Sequence, residues 1–221
     1  VMLSAEATPI LIHDETWERT TNGRGRVSDT RDAALAALDA GSWFGPDFAG
    51  EPVPTFEAAA RLCRELGLAA NVEIKPATGF EEITGRVVAQ AADRLWHGAA
   101  LPPLLSSFSE LALSAAAETA PHLPRGLLVG AIPPDWLARM ARHGCLALHC
   151  DAAANGLERL AGLAAGGIPV VCYTVNDEIQ ARLLLDAGVA TVITDRLDIA
   201  DRLWFPIRRR EDRPGAGGPK S

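Results

Sequence analysis

The chain has 221 residues, of which 48% are hydrophobic and 22% are charged. This balance is typical of a globular protein and excludes a disordered chain, a collagen-like repeat and a disulfide-stabilised miniprotein. The net charge of −7 at pH 7 would repel a nucleic-acid backbone, so we expect no nucleic-acid partner. No apolar stretch is long enough to span a bilayer, and we expect no stable membrane insertion.

The first 66 residues show little regular periodicity. Two short apolar runs, Met2–Leu3 and 9–12, flank a polar segment and predict a hairpin or strand pair. A long irregular stretch follows, with Trp43, Phe44 and Phe48 among glycines and prolines. Because long irregular segments inside a compact domain are usually lids or substrate-binding insertions, we expect this stretch to have a function.

From about residue 67 onward, β-prone runs alternate with amphipathic helical patterns. Six strand–helix units in series predict a parallel sheet with helices outside it. An open doubly wound sheet and a closed (β/α)₈ barrel both fit this pattern. The predicted strands are 69–74, 104–107, 126–129, 145–149, 170–175 and 191–194, and the predicted helices are 80–96, 109–119, 134–143, 155–165, 177–187 and 198–204.

Several residues mark the expected ends of these helices. Pro134 suits the first turn of its helix. Asp177 and Asp198 have the side-chain chemistry of N-caps. Gly144 and Gly188 stand where two helices should end.

A carboxylate and an amine follow one of the central predicted strands. Glu73 lies between Val72 and Ile74 and therefore points to the opposite face, which it shares with Lys75. One interpretation is a metal-binding carboxylate beside a phosphate-binding cation, and the other is a structural ion pair. Lys75 is the only lysine before the C-terminal tail. This favours function, because a guanidinium does not replace a compact ammonium in a tight site.

Other polar and aromatic residues also end predicted strands, where α/β barrels carry their chemistry. His13 ends an apolar run and is a candidate general acid or base, although a hydrogen-bonded loop histidine fits equally. His149, Phe108 and Tyr173 are candidate pocket residues that could also belong to the core. Histidines near helix ends are expected on the surface; they are His97, His122 and His143.

The four cysteines show neither a CxxC pair nor zinc-ligand spacing. Cys63, Cys145 and Cys172 lie in apolar runs, which predicts buried thiols and a reducing compartment. We therefore predict a cytoplasmic location. The chain begins at Val1 rather than at a methionine, as expected of a segment taken from a longer protein, so an upstream signal peptide is left open.

An ordered series of motifs resembles the glycerophosphodiester phosphodiesterase family. The resemblance implies a (β/α)₈ TIM barrel, with one domain over residues 1–206 and an insertion at about 14–55. Residues 207–221 are basic and contain proline and glycine, which predicts a disordered tail. The series runs in the family's order through residues 9–16, 18–23, 38–44, 53–55, 71–76, 105–108, 173–176 and 192–195.

The resemblance also implies an activity and roles for individual residues. Family members hydrolyse glycerophosphodiesters, such as glycerophosphocholine and glycerophosphoethanolamine, to sn-glycerol 3-phosphate and an alcohol, with a divalent metal, Ca²⁺ or Mg²⁺. By this resemblance His13 is a catalytic acid or base, Glu73 a metal ligand and Lys75 a phosphate contact. The expected substrate contacts are Lys75, His149, Tyr173, Phe108 and Asn176.

The family opens with motifs that this chain does not contain: His-Arg-Gly, Pro-Glu-Asn-Thr and Glu-Leu-Asp. They supply another catalytic histidine and acidic metal ligands. We therefore expect the first βα unit and the start of the second strand to be lacking, and the chain as given to be inactive.

Two alternatives stay open at this point. One is a non-catalytic protein that binds a phosphodiester through Lys75, Tyr173 and Asn176. The other is a related phosphodiesterase acting on a phospholipid headgroup, with Trp43 and Phe44 touching lipid. The sequence leaves the oligomeric state open.

Overall fold

The computed structural model describes residues 1–204. The chain divides into two compact units, Val1–His149 and a second unit that begins at Cys150. The basic tail predicted over 207–221 lies outside the described residues, and the single domain over 1–206 stays a prediction. Within the described part, no helix combines the length and apolarity needed to cross a bilayer.

The first unit contains five strands and five helices. The strands are β1 (Met2–Leu3), β2 (Pro9–Ile10), β3 (Asn71–Glu73), β4 (Leu104–Ser107) and β5 (Arg125–Val129). The helices are α1 (Asp32–Leu35), α2 (Phe56–Glu65), α3 (Glu81–Leu95), α4 (Glu110–Thr119) and α5 (Trp136–His143). Two 3₁₀ turns lie in the irregular segment, at Val27–Asp29 and Pro46–Phe48.

The second unit continues the alternation. Strand β6 crosses the boundary between the units. The elements are β6 (Ala147–Asp151), α6 (Leu157–Ala165), β7 (Val170–Tyr173), α7 (Glu178–Asp186), β8 (Thr191–Val192) and α8 (Leu197–Trp204). Strands β7 and β8 are parallel, with Val171 opposite Thr191.

The predicted N-terminal strand pair is confirmed: β1 and β2 are antiparallel, with Met2 opposite Ile10. The chain start also lies along β3. The Val1 nitrogen donates to the Glu73 carbonyl at 2.5 Å, and the Lys75 N–H donates to the Val1 carbonyl at 2.9 Å. Val1 therefore lies along one edge of β3.

The other edge of β3 pairs with β4, which in turn pairs with β5, and all three strands are parallel. Glu73 lies opposite Ser106, and Ser106 lies opposite Gly126. Because side chains alternate along a strand, these three residues share one face of the sheet. The other face, with Val72, Ile74 and Leu105, packs on α3 and α4 through small residues; these include Ala89, Ala92, Ala112 and Ala116.

The irregular N-terminal segment has a small core of its own. Trp17 is 1% exposed and packs with Met2, Ile10 and Val27. Its indole N–H donates to the Thr30 hydroxyl at 2.7 Å. The segment is therefore ordered by apolar burial without long regular elements.

Three predicted helix ends are confirmed. The Asp177 carboxylate caps α7 by accepting from the Gln180 N–H at 2.7 Å. Gly144 and Gly188 follow α5 and α7 with φ of 60° and 93°, a left-handed conformation that favours glycine. The left-handed turn at Gly144 separates α5 from β6, and β6 begins two residues after its predicted start.

Two predicted helix starts are wrong. Asp198 lies inside α8, which begins at Leu197, and its carboxylate pairs with the Arg196 guanidinium at 2.7 Å. Pro134 precedes α5, which begins at Trp136 after Asp135. Both predicted starts lie within two residues of the observed ones. At this scale, local capping geometry decides where the first turn of a helix begins.

The cysteines are all free thiols. Cys145 and Cys172 are buried as predicted, whereas Cys63 is only partly buried. Desolvation raises the pKa of the Cys145 thiol to about 11. This thiol therefore stays protonated at neutral pH and acts as an apolar side chain.

A buried arginine holds two helix ends together. The Arg125 side chain, at the start of β5, donates to the carbonyls of Leu123 at 2.8 Å and His143 at 2.9 Å. Longer contacts reach the carbonyls of Ala120 and Gly144, at 3.4 and 3.5 Å. The guanidinium thus satisfies acceptors at the C-termini of α4 and α5, where a positive charge is also favourable.

Replacing Arg125 with methionine should lower the free energy of unfolding by about 2 kcal/mol, because buried carbonyl groups lose their donors. Urea unfolding followed by circular dichroism measures this. The control, Arg142→Met on exposed helix surface, should change stability by less than about 0.5 kcal/mol. Equal effects of the two substitutions would contradict the role of Arg125.

Candidate active site

The structure brings His13 and Lys75 together, although 62 residues separate them in the chain. His13 follows β2, and Lys75 follows β3. The two strands are linked through the chain start, because Met2 pairs with Ile10 of β2 while Val1 bonds to the backbone of Glu73 and Lys75. The His13 Nε2 atom lies 2.9 Å from the Lys75 Nζ atom.

Both groups are open to substrate. The His13 side chain is 71% exposed, and Lys75 is partly buried. An ammonium and an imidazole in contact can together bind an anionic group and move a proton.

His13 is also held from its other side. Its Nδ1 atom lies 2.7 Å from Asp14 Oδ1. The Arg19 guanidinium contacts the same carboxylate through two nitrogens, and holds the pKa of Asp14 well below its usual range. Asp14 therefore remains ionised beside the imidazole. The sequence pattern alone assigns no role to Asp14 or Arg19.

Glu73 is partly buried and lies two residues before Lys75 on the same strand face. It is the residue that the sequence assigned to a metal. Within residues 1–204, however, no three histidine, cysteine, aspartate or glutamate side chains converge as a metal-binding group. A hard divalent cation requires about six or more oxygen ligands, so the described side chains do not form a complete site around Glu73.

The ends of β3 and β4 are tied together. The Ser107 hydroxyl donates to the Ile74 carbonyl at 2.6 Å and accepts from the Ser109 N–H at 3.0 Å. The Ile74 carbonyl, which lies between Glu73 and Lys75, is therefore held by the neighbouring strand. Phe108 follows directly and is 50% exposed, which leaves part of its ring open at this strand end.

His149 lies on β6 and is fully buried. Among the described residues, neither of its ring nitrogens has a hydrogen-bond partner, and the same is true of the buried Ser106 hydroxyl. The ring occupies the space above Gly126, where an added Cβ would lie 2.6 Å from Nε2. A role for His149 in substrate binding therefore stays a prediction that requires access to the interior.

Burial lowers the pKa of His149 to about 4. The unfolded chain takes up this proton first, near pH 6.5, so acidification favours unfolding between roughly pH 6.5 and pH 4. Over that window we expect this histidine to remove about 1 kcal/mol of stability for each pH unit. Urea unfolding of the chain and of His149→Leu at several pH values tests this.

The His149→Leu variant should show the shallower pH dependence, and the exposed control His97→Gln should match the unchanged chain. Identical slopes for all three proteins would contradict the assignment.

Another buried histidine corrects a sequence-based expectation. His143 was expected on the surface but is 5% exposed, on the side of α5 that faces α4. Its Nε2 atom lies 2.6 Å from the Glu110 carboxylate, and its Nδ1 atom lies 3.0 Å from the Ser114 hydroxyl. Burial is possible because both ring nitrogens are paired.

Tyr173 and Asn176 belong to the second unit. Tyr173 ends β7 and is partly buried. The Asn176 side-chain oxygen accepts from the Asp195 N–H at 2.8 Å and from the Thr194 hydroxyl at 2.9 Å. Asn176 therefore connects the segments that follow β7 and β8, and its predicted substrate contact is untested.

The irregular segment presents an exposed aromatic cluster formed by Trp43, Phe44 and Phe48. These side chains are 53%, 69% and 47% exposed. The rings of Trp43 and Phe44 lie 5.7 Å apart, and those of Phe44 and Phe48 lie 5.1 Å apart, both edge to face. The Asp39 carboxylate orders the loop by accepting from backbone N–H groups of Gly41, Ser42 and Gly50 and from the Ser42 hydroxyl.

Parallel strand–helix units with basic and acidic side chains at the strand ends are the arrangement found in (β/α)₈-barrel enzymes. The profile of the glycerophosphoryl diester phosphodiesterase family matches residues 1–199, and the chain belongs to this family of phosphodiester hydrolases. The resemblance inferred from the motifs is thus confirmed.

Individual relatives agree with this assignment. A glycerophosphodiester phosphodiesterase from Caldanaerobacter subterraneus is 31% identical over 202 residues, which cover 88% of this chain and 79% of the relative. The Bacillus subtilis protein YhdW is 30% identical over 206 residues, covering 90% of this chain and 81% of the relative.

A solved structure of an Oleispira antarctica phosphodiesterase, in complex with the product sn-glycerol-3-phosphate, is 33% identical with a TM-score of 0.84. The match covers 91% of this chain and 81% of that one. A glycerophosphodiester phosphodiesterase from Agrobacterium tumefaciens matches with a TM-score of 0.70 at 26% identity, covering 89% and 82% of the two chains. The predicted α/β fold of the TIM-barrel type is confirmed.

Proposed function

We propose that the site at His13 and Lys75 hydrolyses glycerophosphodiesters to sn-glycerol 3-phosphate and an alcohol. The contact of 2.9 Å between the Lys75 ammonium and the His13 imidazole carries this proposal. It supports the pairing of a cation suited to binding phosphate with a group able to exchange a proton. The Oleispira antarctica relative with bound sn-glycerol-3-phosphate supports the choice of product.

Each residue has a defined part in the proposed reaction. The Lys75 ammonium donates to a phosphoryl oxygen and offsets the charge that builds up there. Once Lys75 turns to the phosphate, the His13 Nε2 atom is free to exchange a proton with the attacking or the leaving oxygen. By the family resemblance, Phe108 is assigned to a substrate contact. The substrate contacts expected of Tyr173 and Asn176, which lie in the second unit, stay predictions.

A divalent metal, Ca²⁺ or Mg²⁺, is the cofactor that the family resemblance implies, with Glu73 as one ligand. The described side chains do not complete a ligand set around Glu73, so no step is assigned to the metal. The expectation that the chain as given is inactive stays a prediction. We infer that it holds such an ion weakly and that any turnover it shows is slow. The cytoplasmic location also stays a prediction.

Release of sn-glycerol 3-phosphate from glycerophosphocholine and glycerophosphoethanolamine, with Mg²⁺, Ca²⁺ or EDTA, tests the function. His13→Asn should lower the rate at least about 100-fold, because general acid–base catalysis contributes that much. The control His97→Asn changes another exposed histidine and should leave the rate unaltered. Equal rates for His13→Asn and the unchanged chain would refute the site.

Binding without turnover would favour the second candidate from the sequence, a protein that binds a phosphodiester without hydrolysing it. Calorimetry with sn-glycerol 3-phosphate distinguishes the two. Heat of binding that saturates, with no product formed under any metal condition, supports the non-catalytic function.

The exposed aromatic cluster favours one further substrate class, phospholipid headgroups, since aromatic side chains insert readily at a lipid–water interface. Hydrolysis of micellar lysophosphatidylcholine and of soluble glycerophosphocholine separates the alternatives. Faster hydrolysis of the micellar substrate, lost on Phe44→Ser, would favour the lipid substrate. Equal sensitivity of both substrates to this change would argue against it.

A further inference from the structure

Four side chains form a continuous hydrogen-bonded chain at the strand ends of the first unit. The order is Lys75, His13, Asp14 and Arg19. Lys75 Nζ contacts His13 Nε2 at 2.9 Å, and His13 Nδ1 contacts Asp14 Oδ1 at 2.7 Å. Arg19 contacts Asp14 through Nε at 2.5 Å to Oδ2 and through Nη2 at 3.0 Å to Oδ1.

The direction of the bonds in this chain is fixed by its two ends. A lysine ammonium has three donors and no acceptor, so the His13 Nε2 atom must accept. The hydrogen of the imidazole is then on Nδ1 and is donated to Asp14. This tautomer leaves Nε2, on the side facing Lys75, as the basic atom of the ring.

Arg19 determines how Asp14 can serve His13. Its planar guanidinium engages both carboxylate oxygens, a geometry that fixes the plane of the carboxylate as well as its position. The Asp14 Oδ1 atom accepts from both Arg19 and His13. The carboxylate orientation that lets Arg19 bind both oxygens therefore also directs Oδ1 towards the His13 Nδ1 atom.

We propose that Arg19 is a positioning residue for His13. Its guanidinium holds the Asp14 carboxylate so that it accepts the Nδ1 hydrogen, which leaves Nε2 to exchange a proton with substrate. Arg19 touches neither Lys75 nor, in this proposal, the substrate. The function of the positioned atom depends on the catalytic role proposed above for His13, but the positioning itself does not.

The carboxylate next in sequence to Asp14, that of Glu15, is engaged elsewhere. The Glu15 carboxylate contacts Arg26 at 3.2 Å and accepts from the Thr78 hydroxyl at 3.1 Å. Arg26 therefore offers a matched control. It lies in the same irregular segment, pairs with a carboxylate next in sequence to Asp14, and has a side-chain exposure of 48% compared with 55% for Arg19.

The fold should tolerate both arginine substitutions, because an exposed ion pair contributes little to stability. The test uses the full chain labelled with ¹⁵N, and its readout is the tautomer of the His13 imidazole from two-bond ¹H–¹⁵N correlations. This needs no turnover, so it succeeds or fails independently of the proposed function.

In the unchanged chain we expect Nδ1–H to be the major tautomer of His13. Arg19→Gln should lower the ratio of Nδ1–H to Nε2–H by about threefold or more, as expected for loss of one partly exposed ion pair. Arg19→Lys keeps the charge without the fork and should give an intermediate ratio. Arg26→Gln should leave the ratio unchanged.

A second readout follows the carboxylate. In Arg19→Gln the pKa of Asp14 should rise towards its usual range, because the hydrogen bonds from Arg19 are the main cause of its low value. Carbon-13 detection of the Asp14 carboxyl measures this. An unchanged tautomer ratio in Arg19→Gln, or the same change in Arg26→Gln, would overturn the proposal.

Discussion

Replacing Lys75 with methionine is expected to weaken binding of sn-glycerol 3-phosphate by about 10- to 100-fold, because a charged hydrogen bond to the phosphate is lost. The loss has two sources. The ammonium no longer meets the phosphoryl oxygens, and His13 Nε2 loses the partner that lies 2.9 Å away. Isothermal titration calorimetry measures the affinity.

Two further variants sharpen the result. Lys75→Arg keeps the charge but replaces the compact ammonium beside His13 with a planar guanidinium. We therefore expect most of the loss of affinity for sn-glycerol 3-phosphate to remain. Arg61→Met removes an exposed cation from the outer helix α2, where it pairs with Glu57, and should bind normally. Equal affinities for Lys75→Met and Arg61→Met would contradict phosphate binding by Lys75.

The second large effect concerns Gly126 on β5. An alanine there would place its Cβ 2.6 Å from His149 Nε2 and 3.0 Å from Cδ2. The ring is fully buried and cannot swing aside without displacing its neighbours. Gly126→Ala should therefore lower the free energy of unfolding by about 3 kcal/mol, a cost typical of overpacking.

The double variant Gly126→Ala/His149→Ala isolates this clash. Removing the ring frees the space that the new methyl group needs, so the two changes should be non-additive by at least about 1 kcal/mol. Gly130→Ala, at a glycine with open space around its Cβ position, should change stability by less than about 0.5 kcal/mol. Additive effects of the two changes would show that the contact is absent.

Periodicity was sufficient to predict most of the regular elements. The strand predicted at 104–107 is β4, and the helix predicted at 109–119 differs from α4 by one residue. Both have clear local signals: an apolar run, then a serine N-cap whose hydroxyl accepts from the Ala112 N–H at 3.2 Å. Alternation along β3 also placed Glu73 and Lys75 on the face opposite Val72 and Ile74.

Features that depend on register were not predictable. Whether the His149 ring fits in the interior depends on a small neighbouring residue, and that residue is Gly126. Burial of Arg125 and His143 likewise depends on carbonyls and a carboxylate contributed by neighbouring elements. Such partners are distant in sequence and have no fixed spacing.

The candidate site was only partly predictable. The sequence placed Lys75 correctly after a strand of the parallel sheet, but its contact with His13 was not predictable from parallel pairing, because His13 follows β2, which is antiparallel to β1. The contact between Asp14 and Arg19 was not predictable either, since it depends on the conformation of an irregular segment ordered by Trp17. Motif resemblance supplied the chemical roles that pattern alone left open.

The central claim is that His13 and Lys75 together form the phosphate-binding and proton-transferring site. Titrating the ¹⁵N-labelled chain with sn-glycerol 3-phosphate, while following side-chain resonances of both residues, tests it most directly. We predict that both resonances shift along one saturation curve and that His97 does not shift. Binding detected by calorimetry without any change at His13 and Lys75 would contradict the account.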